Sequence, residues 1–168
     1  DALAAELRKQ TFGGEPVRVH VDKRDLGGGV KSWEWIKKGV PVRIEIGPRD
    51  MEKGTVALAR RDRGHKEKAF PTNDELLASI TTTLQEIHDS LLARATALRD
   101  ANTVKIDTRA EFTEFFTAKD DSKISGGFAF AHWDGTPETE AEIKEQLKVT
   151  IRCIPSDSPE EAGTCVWS

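Results

Sequence analysis

Apolar residues recur along this chain with two different periods, and the periods assign most of its elements before any chemistry is considered. Alternation with polar residues marks a half-buried strand, because successive side chains point to opposite faces, whereas spacings of three and four mark one face of a helix. In Pro16–Asp22, Val17, Val19 and Val21 alternate with Arg18, His20 and Asp22, and farther on Val42, Ile44 and Ile46 alternate with Arg43 and Glu45. Both stretches read as strands, and TVALARRD from Thr55 reads as a third. Between the first two lies VKSWEWIKKG, a short helix closed by Gly39. A strand, a helix and a strand at this spacing predict a right-handed βαβ unit with parallel strands. Ahead of them, Leu3, Leu7 and several alanines predict a helix that the Gly13–Gly14 pair ends.

The longest helical pattern follows Pro71. Thr72 and Glu75 have capping-box spacing, and Leu77, Ile80, Leu84, Ile87, Leu91 and Leu98 recur every three or four residues or multiples of that step. A helix of this kind should lie across the sheet, with His88 at its surface or edge beside Asp89. After Asn102 a second unit begins. Thr108 and Glu111 predict another capped helix, GGFAFAHW a strand, Thr136–Pro137 the start of the helix PETEAEIKEQL, and KVTIRCIP a last strand. The final SDSPEEAGTCVWS is acidic and turn-rich and reads as having no capping element of its own. The expected fold is α/β: a mixed sheet with packed helices over residues 1–101, and a small α/β unit over 102–168.

Composition changes this picture little, but charge changes it more. A chain of 168 residues can bury one proper core or two small ones. Apolar content of 37% with 32% charged residues describes a folded, highly charged globular protein rather than a disordered one. No apolar run approaches the ~20 residues of a membrane-spanning helix, and no signal peptide opens the chain, so a cytoplasmic setting without membrane association is expected. The two cysteines, Cys153 and Cys165, lack CxxC spacing and read as reduced thiols. The net charge of −4 argues against a polyanionic partner only as an average. From Pro16 to Lys68 there are 14 Lys and Arg against 8 Asp and Glu, and in the remainder 11 against 21, so one basic block sits within an acidic chain.

Several chemistries find no support. Gly27–Gly28–Gly29 precedes a helix, as a phosphate loop would, yet lacks both the lysine–serine pair of a P-loop and the GxGxxG spacing. No serine or cysteine occupies a nucleophile elbow, and His20, His65, His88 and His132 are scattered. Structural zinc needs about four cysteine or histidine ligands at short paired spacings, which His132, Cys153 and Cys165 do not supply. No catalytic residue and no metal ligand is therefore assigned. What survives is a basic and aromatic set: Lys31, Trp33, Trp35, Lys37, Lys38, Arg43, Arg49, Arg60, Arg61, Arg63 and Lys66. Unpaired RNA loops are read by stacking on aromatics and by forked hydrogen bonds from arginine, whose guanidinium fits the O6/N7 edge of guanine. Trp33 and Trp35 lie roughly 200° apart around a helix, so one of them should be exposed. The competing assignment for the arginines is structural, as Arg43–Glu45 and Arg49–Asp50 ion pairs.

Together, DKRD, GVKSWEWIKKGVPVRIEIGPRDMEKGTVALARRDRGHKEK, KIDTRAEFTEFF and VTIRCIP resemble the anticodon-binding and C-terminal domains of prolyl-tRNA synthetases of the archaeal/eukaryote-like type. The resemblance covers nearly the whole chain. It implies a class II anticodon-binding domain followed by a small C-terminal domain, within a ligase that attaches proline to its tRNA using ATP and magnesium. The class II catalytic core would precede Asp1, so this piece would read the anticodon without performing the reaction and would need no cofactor of its own. Proline tRNA, the upstream catalytic domain and a second copy in a homodimer are the implied partners. A non-catalytic RNA-binding or regulatory module derived from such an enzyme is the alternative.

In that family the two anticodon guanines are contacted by five groups. These are an aromatic and a glutamate on the short helix, an arginine in the next strand, a basic residue in the GPRD-type turn and a later lysine. The resemblance places the last three at Arg43, Arg49 and Lys66. Ser32 and Ile36 stand where the aromatic and the glutamate are usual, which transfers stacking to Trp33 and the acidic contact to Glu34. Many relatives carry a four-cysteine zinc site in the C-terminal domain. Only Cys165 of that pattern remains here, so a zinc-free, truncated version is expected.

Overall fold

Helix α1 (Ala2–Lys9) opens the chain and buries Ala4 and Leu7. The computed structural model describes residues 1–118, 120, 126–158 and 161–168, and they form two units, Asp1–Ala95 and Thr96–Ser168, divided within the long helix. Gly13 and Gly14 do not end α1, which stops at Lys9. With φ of +61° and +84° they form the two-residue turn of a hairpin, β1 (Thr11–Phe12) against β2 (Glu15–Pro16). Left-handed backbone at both central positions is what a tight hairpin turn demands, and glycine adopts it without strain.

The predicted strand at Val17–Asp22 does not join a sheet, and the expected parallel βαβ unit does not form. Val19 still packs on the core. Two of its carbonyls accept from side chains instead: Arg8 Nη2 donates to Val19 O at 2.8 Å and Lys31 Nζ to Asp22 O at 3.5 Å. Helix α2 (Gly28–Lys37) absorbs two of the three glycines into its first turn, so the run is no free loop ahead of a helix. Its far end is closed by Gly39 as expected, with φ +74° and its N–H donated to Ile36 O at 2.9 Å.

Strand β3 (Val42–Glu45) pairs antiparallel with β4 (Ala57–Arg60), which pairs antiparallel with β5 (Lys68–Ala69). Between β3 and β4 the GPRD stretch is not a turn but the start of a short helix, α3 (Pro48–Lys53). Proline suits its first position, and Asp50 Oδ2 accepts from Gly47 N at 2.8 Å. Ile46 falls outside β3 and is exposed, so only Val42 and Ile44 hold this strand to the core.

Helix α4 (Asn73–Ala101) starts on the predicted capping box: Glu75 N donates to Thr72 Oγ1 at 3.2 Å and Thr72 N to Glu75 Oε2 at 2.8 Å. Leu76, Ile80 and Ile87 are buried on it, and Leu77 and Leu84 are partly so. Leu7, Val56, Leu58, Leu76 and Ile80 form the first core. Leu98 lies on the exposed surface, so the apolar stripe is longer than the face that packs. His88 is at the surface, as read.

In the second unit, β6 (Thr103–Lys105) pairs parallel with β7 (Phe128–Phe130). Gly127 leads into β7 so close to Asn102 that a Cβ there would strike the Asn102 carbonyl, which the Phe128 N–H uses at 2.8 Å. Helices α5 (Arg109–Phe116) and α6 (Pro137–Leu147) begin at the predicted caps, Thr108 and Thr136. KVTIRCIP forms no strand. Lys148 takes a left-handed conformation at the end of α6, and Val149 then packs on the core without a ladder. The terminal stretch also corrects its reading. Pro159 and Glu160 lie outside the described residues, but Val166 and Trp167 join Ile106, Phe112 and Ile143 in the second core, and Val166 N donates to His132 O at 2.9 Å.

Candidate nucleic-acid interface

The faces of the three-stranded sheet follow from its register. Val42, Ile44 and Leu58 point toward the core, so Arg43, Glu45, Ala57, Ala59 and Lys68 share the opposite face. Arg43 lies directly opposite Ala59, which lies directly opposite Lys68. Ala59 offers no bulk between the two cations. Lys68 Nζ reaches Glu45 Oε2 at 2.7 Å, so the only acid on this row of β3 is already paired.

Neither structural ion pair weighed for the arginines forms. Glu45 belongs to Lys68, and Asp50 accepts from the Gly47 backbone. Among the described residues, Arg43 and Arg49 have no ion pair and no side-chain hydrogen bond. The Arg43 Nε is buried and unpartnered. A buried donor without an acceptor costs about 1–3 kcal/mol, and because the Nε is closed to solvent a ligand could meet only the two terminal nitrogens of the guanidinium. Arg43 is thus held in place by the sheet with its hydrogen-bonding capacity unspent.

The other predicted positions come from separate elements. Arg49 is exposed in the first turn of α3, beyond the C-terminal end of β3. Lys66 is exposed in the connection from β4 to β5, beyond the C-terminal end of β4. Because β3 and β4 are antiparallel, these two positions flank Arg43 from opposite ends of the sheet rather than lying side by side. Trp33 and Glu34 sit on α2.

Of the two tryptophans on α2, Trp33 is the exposed one, at 58%. Trp35 is half-buried and held on three sides: its Nε1 donates to Asp22 Oδ2 at 2.8 Å, its ring lies 4.6 Å from His20, and the Lys38 ammonium stands 4.2 Å above it. Asp22 also accepts from Arg24 Nε at 2.9 Å and Nη2 at 2.7 Å. The Arg24 fork, helped by the Trp35 N–H, holds the Asp22 carboxyl well below the usual carboxylate range. The remaining arm of Arg24 takes Glu34 Oε2 at 2.8 Å. Glu34 is therefore oriented by Arg24, and the loop before α2 sets the rotation at which that helix shows Trp33 to solvent.

Asp22 and Arg24 were not among the predicted site residues. Their two-residue spacing permits the mutual bond, but the link to Trp35, 13 positions away in sequence, carries no local signal. Nor could spacing show that Lys68 would relieve Arg43 of Glu45. The geometry as a whole offers a fork of directed donors on a sheet face, an exposed indole and flanking cations. Those parts suit hydrogen bonding and stacking with an unpaired nucleic-acid strand.

No group of three or more His, Cys, Asp or Glu residues among the described positions could hold a metal ion. Among the described residues, no helix is long and apolar enough to cross a membrane.

Comparison with known proteins gives concordant matches over the two units. Residues 1–73 match the anticodon binding domain family, and residues 118–168 match the family described as prolyl-tRNA synthetase, C-terminal. Proline–tRNA ligase 2 of Anaeromyxobacter dehalogenans is 54% identical over 99% of this chain and 34% of its own length. Proline–tRNA ligase of Akkermansia muciniphila is 50% identical over 92% of this chain and 30% of its own. Among solved structures, prolyl-tRNA synthetase from Cryptosporidium parvum, complexed with L-proline and AMP, superposes with a TM-score of 0.70 at 28% identity. That match covers 99% of this chain and 33% of the other. The chain spans about a third of the length of these relatives.

Proposed function

Because the chain belongs to the prolyl-tRNA synthetase family, we propose that it is the part of a proline–tRNA ligase that reads the anticodon of proline tRNA. Residues 1–101 are assigned to the anticodon-binding domain and 102–168 to the accessory C-terminal domain. Arg43 donates its fork to one guanine edge, Arg49 and Lys66 approach from the two ends of the sheet, Trp33 stacks on a splayed base, and Glu34 accepts from a base amine. Proline activation, with its ATP and magnesium, belongs to the catalytic part of the parent enzyme, a cytoplasmic homodimer in this reading. No residue of this chain is assigned to it.

The observation that carries the reading is Arg43, which has no ion pair among the described residues and sits on a sheet face where the neighbouring acid is neutralised by Lys68. A guanine offers two acceptors at the spacing of a guanidinium fork, and each forked contact is worth about 1–3 kcal/mol of discrimination. The direct test is binding of the 168-residue chain to a proline anticodon stem-loop with each guanine replaced in turn. Replacement should weaken binding by that amount in the native chain and by little in Arg43→Ala. Equal affinity of the native chain for all loops refutes the reading. In the complete ligase, Arg49→Ala should lower charging of proline tRNA and leave proline-dependent ATP exchange intact.

A further inference from the structure

The sheet end that receives the C-terminus of α2 gathers four exposed cations, none of which has an ion pair closer than 3.9 Å among the described residues. Arg61 N donates to Pro41 O at 2.9 Å and its Nη1 to Gly39 O at 3.3 Å, which ties the end of β4 to the turn closing α2. Lys37 and Lys38 occupy that end of the helix, and Arg63 follows Arg61 by two residues; all four side chains are exposed.

The acids nearby are engaged elsewhere. The Asp62 side chain is 1% exposed and accepts from Arg60 at 2.9 Å, while a second Arg60 nitrogen takes Glu86 at 2.6 Å. Asp62 lies 3.9 Å from Arg63, at the limit of an ion pair. Glu34 is held by Arg24. Among the described residues, the Lys37 ammonium has no polar partner. Favourable interaction with the helix dipole accounts for lysines at the end of α2, but not for Arg61 and Arg63, which lie past a strand.

We infer that Lys37, Lys38, Arg61 and Arg63 form a rim that binds the phosphates of the RNA loop whose bases the adjacent sheet face reads. The inference rests on the anticodon reading above and adds to it a division of labour. Base contacts discriminate, whereas exposed cations neutralise phosphates, supply affinity blind to sequence and make it depend on salt. The overall charge of −4 sharpens the point, since attraction of a polyanion to this chain needs a local positive field.

Binding of the proline anticodon stem-loop, measured by fluorescence anisotropy from 50 to 200 mM salt, tests the rim. The variant is Lys37→Gln with Arg63→Gln, chosen because neither side chain bonds to the backbone or stacks on a ring and only the 3.9 Å approach of Arg63 to Asp62 is lost; a thermal melt matching the native chain verifies its fold. Each phosphate contact on a single strand contributes about 0.7 to the slope of log affinity against log salt. Two lost contacts should flatten that slope by about 1.4, so that the native chain loses about sevenfold more affinity than the variant across this range. The ratio of affinities for guanine-bearing and guanine-replaced loops should not change. An unchanged slope, or a loss confined to the guanine-bearing loop, overturns the rim. If the native chain shows no guanine preference while the slope responds, the anticodon reading fails and the rim stands. Absence of any salt-dependent binding by the native chain overturns both.

Discussion

Glu45 takes the ammonium of Lys68 at 2.7 Å rather than the guanidinium of Arg43, its neighbour two residues back on the same sheet face. That choice keeps Arg43 available. Removing Lys68 should release the carboxylate toward Arg43, and a partly exposed pair of that kind is worth about 0.2–1 kcal/mol. Lys68→Ala is therefore expected to weaken binding of a guanine-bearing anticodon loop by at most about fivefold. Adding Glu45→Ala should restore it. A loss that persists in the double variant would mean that Lys68 touches the RNA itself.

Trp33 and Trp35 should separate binding from stability. Trp33 is 58% exposed and its side chain has no bonded partner among the described residues, so Trp33→Ala should alter stability by no more than about 0.5 kcal/mol. Loss of one stacked base should nevertheless weaken loop binding by about 1–3 kcal/mol. Trp35→Ala removes the Nε1 bond to Asp22 and the contacts with His20 and Lys38, and should destabilise the chain by roughly 1–3 kcal/mol. Urea melts beside anisotropy titrations distinguish the two. Normal binding by Trp33→Ala removes stacking from the proposed site.

How far the sequence revealed this arrangement depended on the range over which each residue finds its partner. Thr72–Glu75 and Thr108–Glu111 were legible because a cap is satisfied within three residues. So was the αL glycine at Gly39. Val17–Asp22 has the alternation of a strand, yet its Val19 and Asp22 carbonyls go to Arg8 and Lys31, side chains that no periodicity can weigh against a ladder. KVTIRCIP failed likewise: apolar alternation places Val149 on the core, but pairing requires a neighbouring strand. Arg43 was legible as the polar side of a strand. Which acid it would avoid was not, because Lys68 arrives from another strand 23 positions beyond Glu45.

Acid should weaken the fold through Asp62. The Arg60 fork holds its carboxyl below the ordinary value of 3.8, and Asp22 and Asp134 are lowered too, by the Arg24 fork and by the Thr136 N–H respectively. With the folded-state pKa depressed, the unfolded chain takes up the proton first. The stabilisation is present above the unfolded value and is lost as pH falls through 3.8 toward the folded one. Asp62→Asn should lose roughly 1.5–3 kcal/mol at pH 7, with Glu86 still pairing Arg60, and should show a shallower decline in melting temperature between about pH 5 and 2. Parallel declines in native and variant would remove Asp62 from the account.

Trp167 should be the largest single contributor to the second core. It is 4% exposed, meets Phe112 edge-on at a ring-centre distance of 6.2 Å, and lies 4.0 Å beneath the Arg109 guanidinium. Arg109 Nη1 also donates to the Trp167 carbonyl at 3.0 Å, so the backbone is tied as well as the ring. Truncating a buried aromatic costs about 3–5 kcal/mol through lost transfer energy and an unfilled cavity. Trp167→Ala is expected to fall in that range. Trp167→Phe keeps much of the packing and loses the Nε1 bond to Glu142 at 3.0 Å, an acid exposed enough to be rehydrated, so it should cost distinctly less. Chemical denaturation of the two variants measures the packing share by difference, and equal losses would place the stabilisation in the indole hydrogen bond instead of the buried ring.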